Sequence, residues 1–254
     1  MASRNFLGAG DLYLARYDDA TGTWGSYDGP FETNKFEIKP NSELKESTSK
    51  GRETYGNIVE SVPLNKPVEL SVELAEINKT TLAMALFGTN TTLSQGSATL
   101  TDVAVTAKKG YWIELGYLNL ATAGFTVKNS AGSTTYVLGT DYEVNYRLGQ
   151  LRILTGSAIA DGASLKVSGT ANAVSGTIVA GGIKPQVRVK AKLDGKNLAD
   201  NLPAIVEVYE AILTPDAAFD FLSNDFGKVS LKGKLKIPSG KTEPFRVLNP
   251  DAVI

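Results

Sequence analysis

The stretch VELSVELAEI, residues 68–77, alternates apolar and polar side chains at every position from Val68 to Leu74. Successive residues of a β-strand point to opposite faces, so this pattern predicts a strand with one buried face and one polar face. The stretches VRVKAKL (residues 187–193) and VSLKGKLKI (residues 229–237) repeat the pattern, with Arg and Lys on the polar side. The opening strand shares it, with Leu12, Leu14 and Arg16 on one face. Half-buried strands of this kind are typical of antiparallel sheets and predict an all-β fold.

One short helix is predicted after the first of these strands. Asn78 or Thr80 can cap it, Gly88 can close it, and a helical stripe lies between them (Leu82, Ala83, Leu86 and Phe87). A second short helix or turn is predicted from Asp216 to Leu222, after Pro215.

Residues 92–175 differ in composition from the rest of the chain. They carry 11 charged side chains in 84 positions, about 13%, against 21% for the whole chain. Short strands are predicted at Tyr111–Leu115, Phe125–Lys128, Thr134–Leu138, Tyr142–Tyr146, Leu151–Leu154 and Ser164–Gly169. Regular short strands with turns between them predict a small, Ig-like β-sandwich. Because both flanks carry the same strand pattern, this domain is predicted to be an insertion into a domain formed by residues 1–91 and 176–254.

The composition argues against several classes of function. The chain has 26 basic and 27 acidic residues, a formal net charge of −1, which argues against a protein that clamps nucleic acid by neutralising phosphates. It has no Cys and no His, so it lacks the commonest general base and the thiolate and imidazole metal ligands. We therefore expect neither an enzyme nor a bound cofactor or metal. We also expect a soluble protein, because no signal peptide or membrane-spanning stretch is evident.

A long polar segment, KPNSELKESTSKGRETYGN at residues 39–57, interrupts the strand pattern. Its only large apolar residues are Leu44 and Tyr55, so it is predicted to be unable to bury itself. Two interpretations remain open: a surface loop, or an assembly arm that becomes ordered only against a neighbouring subunit. The candidate arm residues are Lys39, Glu43, Lys45, Glu46, Lys50, Arg52, Glu53 and Tyr55.

The polar strand faces are the second candidate site. One face is acidic and two are basic; their residues are Glu69 and Glu73, then Arg188, Lys190 and Lys192, then Lys232, Lys234 and Lys236. They are interpreted either as solvated faces of a monomer or as charged surfaces that neighbouring subunits complete.

The order of these features resembles the tail tube proteins of long-tailed bacteriophages. The opening strand LGAGDLYLARYD leads through the turn TGTWG (residues 21–25) and a further strand to the polar segment. The strand VELSVELAEI and the helix NKTTLAMALFG follow, and the block YVLGTDYEVNYRLGQLRILTGSAIADGASLKVSG is similar to decorations found in such proteins. The likeness covers nearly the whole chain and depends on this succession, without an invariant motif.

This resemblance implies a structural virion protein with a tail-tube-type β-sandwich or barrel. Relatives form hexameric rings that stack into a tube around a tape-measure protein, and the genome leaves through that conduit. The implied partners are copies of the chain itself, the tape-measure protein, and tail terminator and tip proteins. Genomic DNA passes through the lumen without specific binding, and no membrane is involved. The implied location is the virion tail, with assembly in the host cytoplasm.

The resemblance also implies roles for the two candidate sites. The segment at residues 39–57 contacts adjacent subunits or rings. The lumen is lined by polar, often acidic side chains, for which Glu69 and Glu73 are candidates by position. The basic residues at 188–192 and 232–236 depart from an acidic lining, so pairing across subunit boundaries stays open for them.

The main alternative is a carbohydrate-binding, adhesin-like β-sandwich. The Thr- and Gly-rich insertion supports it, together with aromatic residues that can stack on sugars (Tyr111, Trp112, Tyr117 and Phe125). Aromatic residues of β-domains more often lie in cores or interfaces, which favours the structural interpretation. A tube of a toxin-secretion system shares the same predicted architecture.

Overall fold

The computed structural model describes residues 5–250, most of which lie in β-strands. The first part of the chain forms β1 (Gly8–Asp18), β2 (Thr23–Trp24), β3 (Asp28–Phe31), β4 (Thr33–Thr48), β5 (Ile58–Leu74), α1 (Lys79–Ala85) and β6 (Thr89–Gln95). The middle forms β7 (Ala98–Thr106), β8 (Trp112–Glu114), β9 (Thr126–Asn129), β10 (Tyr142–Asn145), β11 (Gln150–Ile153) and β12 (Ser164–Ala171). The last part forms β13 (Val174–Ala180), β14 (Val187–Asn197), β15 (Pro203–Pro215), β16 (Val229–Leu235) and β17 (Phe245–Leu248).

The chain folds into two compact units. Unit 1 comprises the chain up to Asn90 and from Val179 onward, and unit 2 comprises Thr91–Ile178. The predicted insertion, residues 92–175, differs from unit 2 by one residue at its start and three at its end. Positions 1 and 254, the outer limits of the predicted flanking domain, lie outside the described residues. Both crossings of the chain between the units run through β6 and β13, which pair as a two-stranded sheet.

Unit 1 is built on a nine-stranded sheet. Seven strands follow the order β2-β1-β14-β15-β16-β5-β4, while β17 pairs with β15 and β3 pairs with β1. The alternation in VELSVELAEI predicts the buried face correctly, because Leu70, Val72 and Leu74 are buried and the intervening residues are not. They pack with the apolar residues of the neighbouring strands into one core. The all-β fold with one short helix, predicted from the sequence, is confirmed.

The helix α1 begins as predicted but ends differently. Asn78 is the N-cap: its Oδ1 accepts the backbone N–H groups of Thr80 and Thr81, at 2.8 and 3.0 Å. At the other end Phe87, with φ of 50°, takes the left-handed position that the sequence assigns to Gly88. Gly88 is needed for close approach instead, since a Cβ there would lie 2.5 Å from the carbonyl oxygen of Ala180.

Of the two alternatives predicted for Asp216–Leu222, a short helix or a turn, the helix does not form; the segment contains bends and ends in a turn. This segment is irregular, and its first residue donates its N–H to the carbonyl of Ser230 at 2.9 Å. Asp220 Oδ1 accepts the N–H of Leu222 at 2.8 Å. Such a local side-chain bond competes with helical hydrogen bonding and favours a turn.

Unit 2 consists of two three-stranded sheets, β10-β11-β8 and β7-β12-β9, that share one core. Five of the six strands predicted in this region are present. The sixth, Thr134–Leu138, is wrong because the segment forms two isolated bridges instead of a strand, one from Thr135 to Lys128 and one from Leu138 to Tyr142. The N–H of Val137 is bonded to the carboxylate of Asp141 at 3.0 Å, so it is not available to a sheet ladder.

Candidate functional site

The polar segment at residues 39–57, interpreted from the sequence as either a surface loop or an assembly arm, is regular over much of its length. It forms the outer part of β4, which runs to Thr48, and the tip of a long antiparallel hairpin whose second strand, β5, begins at Ile58. The pairing runs from Asn41 opposite Lys66 to Thr48 opposite Ile58. Strand pairing satisfies the backbone hydrogen bonds without any burial of side chains, which explains how a polar segment becomes regular. We call residues 41–66 the arm.

The arm projects beyond the sheet that carries it. The neighbouring strand β16 pairs with β5 only from Glu69 to Leu74. Among the described residues, the two arm strands therefore pair only with each other. Every residue from Ser42 to Thr48 and from Lys50 to Lys66 is exposed.

The arm exposes six large apolar side chains. Leu44 and Tyr55 were noted in the sequence, whereas four residues of β5 were missed: Ile58 and Val59, which are 57% and 68% exposed, and Val62 and Leu64. The signal was available, because IVESVPLN at residues 58–65 contains four large aliphatic residues and lies outside the segment singled out as polar. A hairpin this apolar, with no core of its own, is typical of an interaction element.

The candidate arm residues divide between strand and tip. Lys39, Glu43, Lys45 and Glu46 lie on β4, where Glu43 pairs with Lys66 at 2.6 Å. The tip is closed by two backbone hydrogen bonds between Ser49 and the pair Gly56 and Asn57. Its exposed residues include the other four candidates, Lys50, Arg52, Glu53 and Tyr55.

The three charged strand faces prove to belong to one face of one sheet. Paired residues of neighbouring antiparallel strands share a face. One row of such pairs crosses five strands: Lys39, Glu69, Lys234, Ile212 and Arg188. Rows through Glu73 and Lys232 run parallel to it, and Lys190 and Lys192 continue the face along β14. Lys236 lies just beyond β16, with its Nζ 3.3 Å from Glu210.

Arg188 is the most firmly held cation of this face. Its Nε and Nη2 donate to Oε1 of Glu210 at 3.1 and 2.8 Å, and the Glu210 side chain is only 5% exposed. The guanidinium also lies 3.8 Å from the ring centre of Tyr17. Stacking and a buried carboxylate together fix its position.

Other carboxylates of the face are neutralised in the same way. Glu207 receives Arg246 and lies 3.1 Å from Lys192, and the hydrogen bond from Arg246 lowers its pKa. Glu73 lies 3.2 Å from Lys228, which lowers the pKa of Glu73. Among the described residues, four lysines of the face form no ion pair: Lys39, Lys190, Lys232 and Lys234. The face is therefore a lattice of mixed charge with a few free lysines.

Two further features of unit 1 leave apolar surface uncovered. The irregular segment after β15 exposes Phe221, Leu222 and Phe226, the last of them completely. A groove of about 480 Å³ also opens at one end of the core, lined by Phe36, Ile38, Leu193, Val206 and Phe245 among others. Sequence reasoning missed both, since apolar residues in a sequence are expected to be buried.

Three of the four aromatic residues behind the carbohydrate-binding alternative are exposed, and one is in a core. Phe125 is only 9% exposed and packs edge-on against Tyr146 in the core of unit 2, so it is not available for stacking on a ligand. Tyr111, Trp112 and Tyr117 are exposed.

A family model described as "protein of unknown function UCP028589" matches residues 5–244. The chain belongs to that family. No curated protein matches the chain.

No helix within residues 5–250 is long and apolar enough to cross a membrane. Over the same range, no group of three or more acidic side chains is arranged to hold a metal ion.

Proposed function

We propose that this protein is a structural subunit that assembles with copies of itself into stacked rings, forming the tail tube through which a long-tailed bacteriophage ejects its genome. The observation that carries the proposal is the arm: a hairpin that exposes six large apolar side chains and that its own subunit leaves uncovered. Such a surface costs free energy in water and is stabilised when a partner covers it.

A second copy of the chain is the partner that this subunit best accommodates. Within residues 5–250, strand β4 pairs with β5 alone, so one long edge of the sheet presents free backbone groups. Exposed edges are a liability that closing a sheet into a ring removes. The apolar groove of unit 1 is the proposed acceptor for apolar side chains of a neighbouring arm. Contacts of this head-to-tail kind close into rings, and a second contact stacks the rings.

The mixed-charge face is the proposed lumen surface. A strongly basic wall binds DNA tightly through its phosphates and stalls its passage. On this face Arg188, Lys192 and Lys228 are each paired with a carboxylate, which offsets part of its positive charge. Such a wall can lie beside DNA without clamping it.

Negative-stain electron microscopy of the purified protein at rising concentration tests the proposal. We expect rings and tubes from the wild type and their loss in the double variant Ile58→Ser/Val59→Ser, which removes apolar surface from the arm alone. The matched control is Val137→Ser/Leu138→Ser, which removes exposed apolar surface from unit 2 and should still assemble. A wild type that stays monomeric at every concentration, or an arm variant that still forms tubes, contradicts the proposal.

A further inference from the structure

The outer face of one sheet of unit 2 has a composition unlike the rest of that unit. The inner face of the sheet β10-β11-β8 places Tyr142, Leu151 and Ile153 in the core. The outer face carries two rows set by the strand register. The first row is Trp112, Arg152 and Glu143, and the second is Glu114, Gln150 and Asn145.

Trp112 stands at the open edge of this face. Its side chain is 44% exposed, and the guanidinium carbon of Arg152 lies 5.8 Å from its ring centre. Arg152 Nη1 bonds to Glu143 Oε1 at 3.0 Å, which holds the planar guanidinium along the row. Arg152 Nε is buried and has no hydrogen-bond partner among the described residues. A buried hydrogen-bond donor without a partner raises the free energy of the folded protein. Binding of a ligand that accepts a hydrogen bond from this donor is therefore favoured.

The charges of the face select against a polyanion. The only cation of the two rows, Arg152, is already paired with Glu143, and Glu114 adds an exposed carboxylate. Nucleic acids and acidic polysaccharides would meet uncompensated negative charge here. A single tryptophan among polar groups is also far smaller than the apolar patch typical of a protein interface.

A neutral sugar fits both the ring and the polar rows. A pyranose has an apolar C–H face that packs on an indole ring, while its hydroxyl groups both donate and accept hydrogen bonds. Arg, Glu, Gln and Asn together supply donors and acceptors in planar groups. Three strands span about 10 Å, and the two rows are about 7 Å apart, so the platform matches one or two sugar rings.

We propose that the outer face of the sheet β10-β11-β8 binds neutral polysaccharides of β-linked pyranoses, with Trp112 as the stacking platform. In a β-linked gluco-configured ring the substituents are equatorial, which leaves both ring faces apolar and able to stack. Since β8 pairs only with β11 among the described residues, the platform is open at that edge and accepts an internal stretch of a chain. The site is independent of the proposed tube assembly.

Isothermal titration calorimetry of the full chain with cellohexaose, chitohexaose and mannohexaose tests this site. An open platform of this size is expected to bind at least one of them with a Kd of about 1 mM. Trp112→Ala should weaken that binding about tenfold or more. Arg152→Lys keeps the charge but loses the planar fork, and it should weaken binding several-fold.

Matched variants separate this site from general effects. Tyr117→Ala removes an exposed aromatic ring of the same unit and should leave the affinity unchanged. Because Trp24 and Trp112 are the only tryptophans, Trp24→Phe leaves Trp112 as the sole tryptophan, whose selectively excited emission should change on saturation. The proposal is overturned if none of the three sugars binds the wild type, if Trp112→Ala binds like the wild type, or if Tyr117→Ala loses binding equally. Circular dichroism checks that each variant is folded.

Discussion

At the scale of single residues, charged side chains follow the partners that the fold supplies. Arg16 lies on the core side of β1 with Leu12 and Leu14, as the alternation predicts, and its Nη2 donates to the carbonyl of Gly88 at 3.2 Å. Burial lowers the pKa of Arg16. Arg188, on the opposite face, is held by Glu210, twenty-two positions away. The alternation predicts which face of the sheet each arginine occupies, but it does not predict which residue each arginine contacts.

Asp141 is a second residue whose role depends on remote contacts. Its Oδ2 accepts the N–H of Val137 at 3.0 Å, and its Oδ1 accepts the Ser157 hydroxyl at 3.0 Å and the N–H of Ala158 at 3.3 Å. These bonds, led by that from Val137, lower the pKa of Asp141 below its ordinary value of 3.8. A depressed pKa means that the charged form stabilises the folded state.

We therefore expect Asp141→Asn to lower the unfolding free energy of unit 2 at neutral pH by about 1–3 kcal/mol, because an amide replaces one acceptor oxygen with a donor. Asp141 stabilises the fold above pH 3.8, and this contribution is lost as the pH falls through its lower folded pKa. The difference in unfolding free energy between the wild type and Asp141→Asn should accordingly become smaller in acid. Urea titrations followed by Trp112 fluorescence in a Trp24→Phe background measure it.

Asp102→Asn is the matched control for this prediction. Asp102 is exposed and pairs with Lys166 at 3.6 Å, so its substitution should change the unfolding free energy by no more than about 0.5 kcal/mol. If the difference in unfolding free energy between the wild type and Asp141→Asn is the same at neutral and acid pH, the stabilising role of the Asp141 carboxylate is contradicted.

At the scale of elements, the contact between β15 and β16 depends on one glycine. Gly233 lies opposite Leu213 on the core side, within the stretch VSLKGKLKI. A Cβ at this position would lie 1.9 Å from the carbonyl oxygen of Ile212. No real Cβ tolerates such a distance from a backbone atom, so the strands must move apart to accept a side chain. The lysine pattern around Gly233 gives no hint of this requirement.

Gly233→Ala is expected to lower the unfolding free energy of unit 1 by roughly 1–3 kcal/mol, as overpacking does. Gly181→Ala is the control in the same unit, because its nearest neighbour, the carbonyl oxygen of Leu86, would lie 3.3 Å from the added Cβ instead of 1.9 Å. Chemical denaturation followed by Trp24 fluorescence in a Trp112→Phe background reports on unit 1. An alanine variant as stable as the wild type would show that the two strands separate easily at this point.

At the scale of the whole molecule, the two units have separate cores. The buried core of unit 1 is formed by residues between Leu12 and Met84 and between Val187 and Leu235, and that of unit 2 by residues from Leu100 to Ala171. Units with their own cores are expected to fold independently. The low density of charged residues and the short strand patterns at residues 92–175 predicted the second unit. The composition of a segment carries this signal because it reflects the side chains that the core of the segment requires.

Replacing residues 96–173 with a short glycine–serine linker should therefore leave unit 1 folded and competent for assembly. The linker keeps β6 and β13, which carry both chain crossings. Calorimetry should show one unfolding transition fewer than for the wild type, and electron microscopy should still show tubes. Sugar binding should be lost. An insoluble or unfolded product would show that unit 1 depends on unit 2.

The sequence by itself determined which strands have one buried face, where the helix begins and where the inserted unit lies. These features depend on near neighbours: alternation with period two, a cap within three residues, and local composition. The tertiary structure alone decided that three charged stretches share one face, that the polar segment is half of a projecting hairpin, and that Trp112, Arg152 and Glu143 form one row. Register between strands distant in the chain sets these juxtapositions, and each strand sequence is compatible with several neighbours until packing selects one.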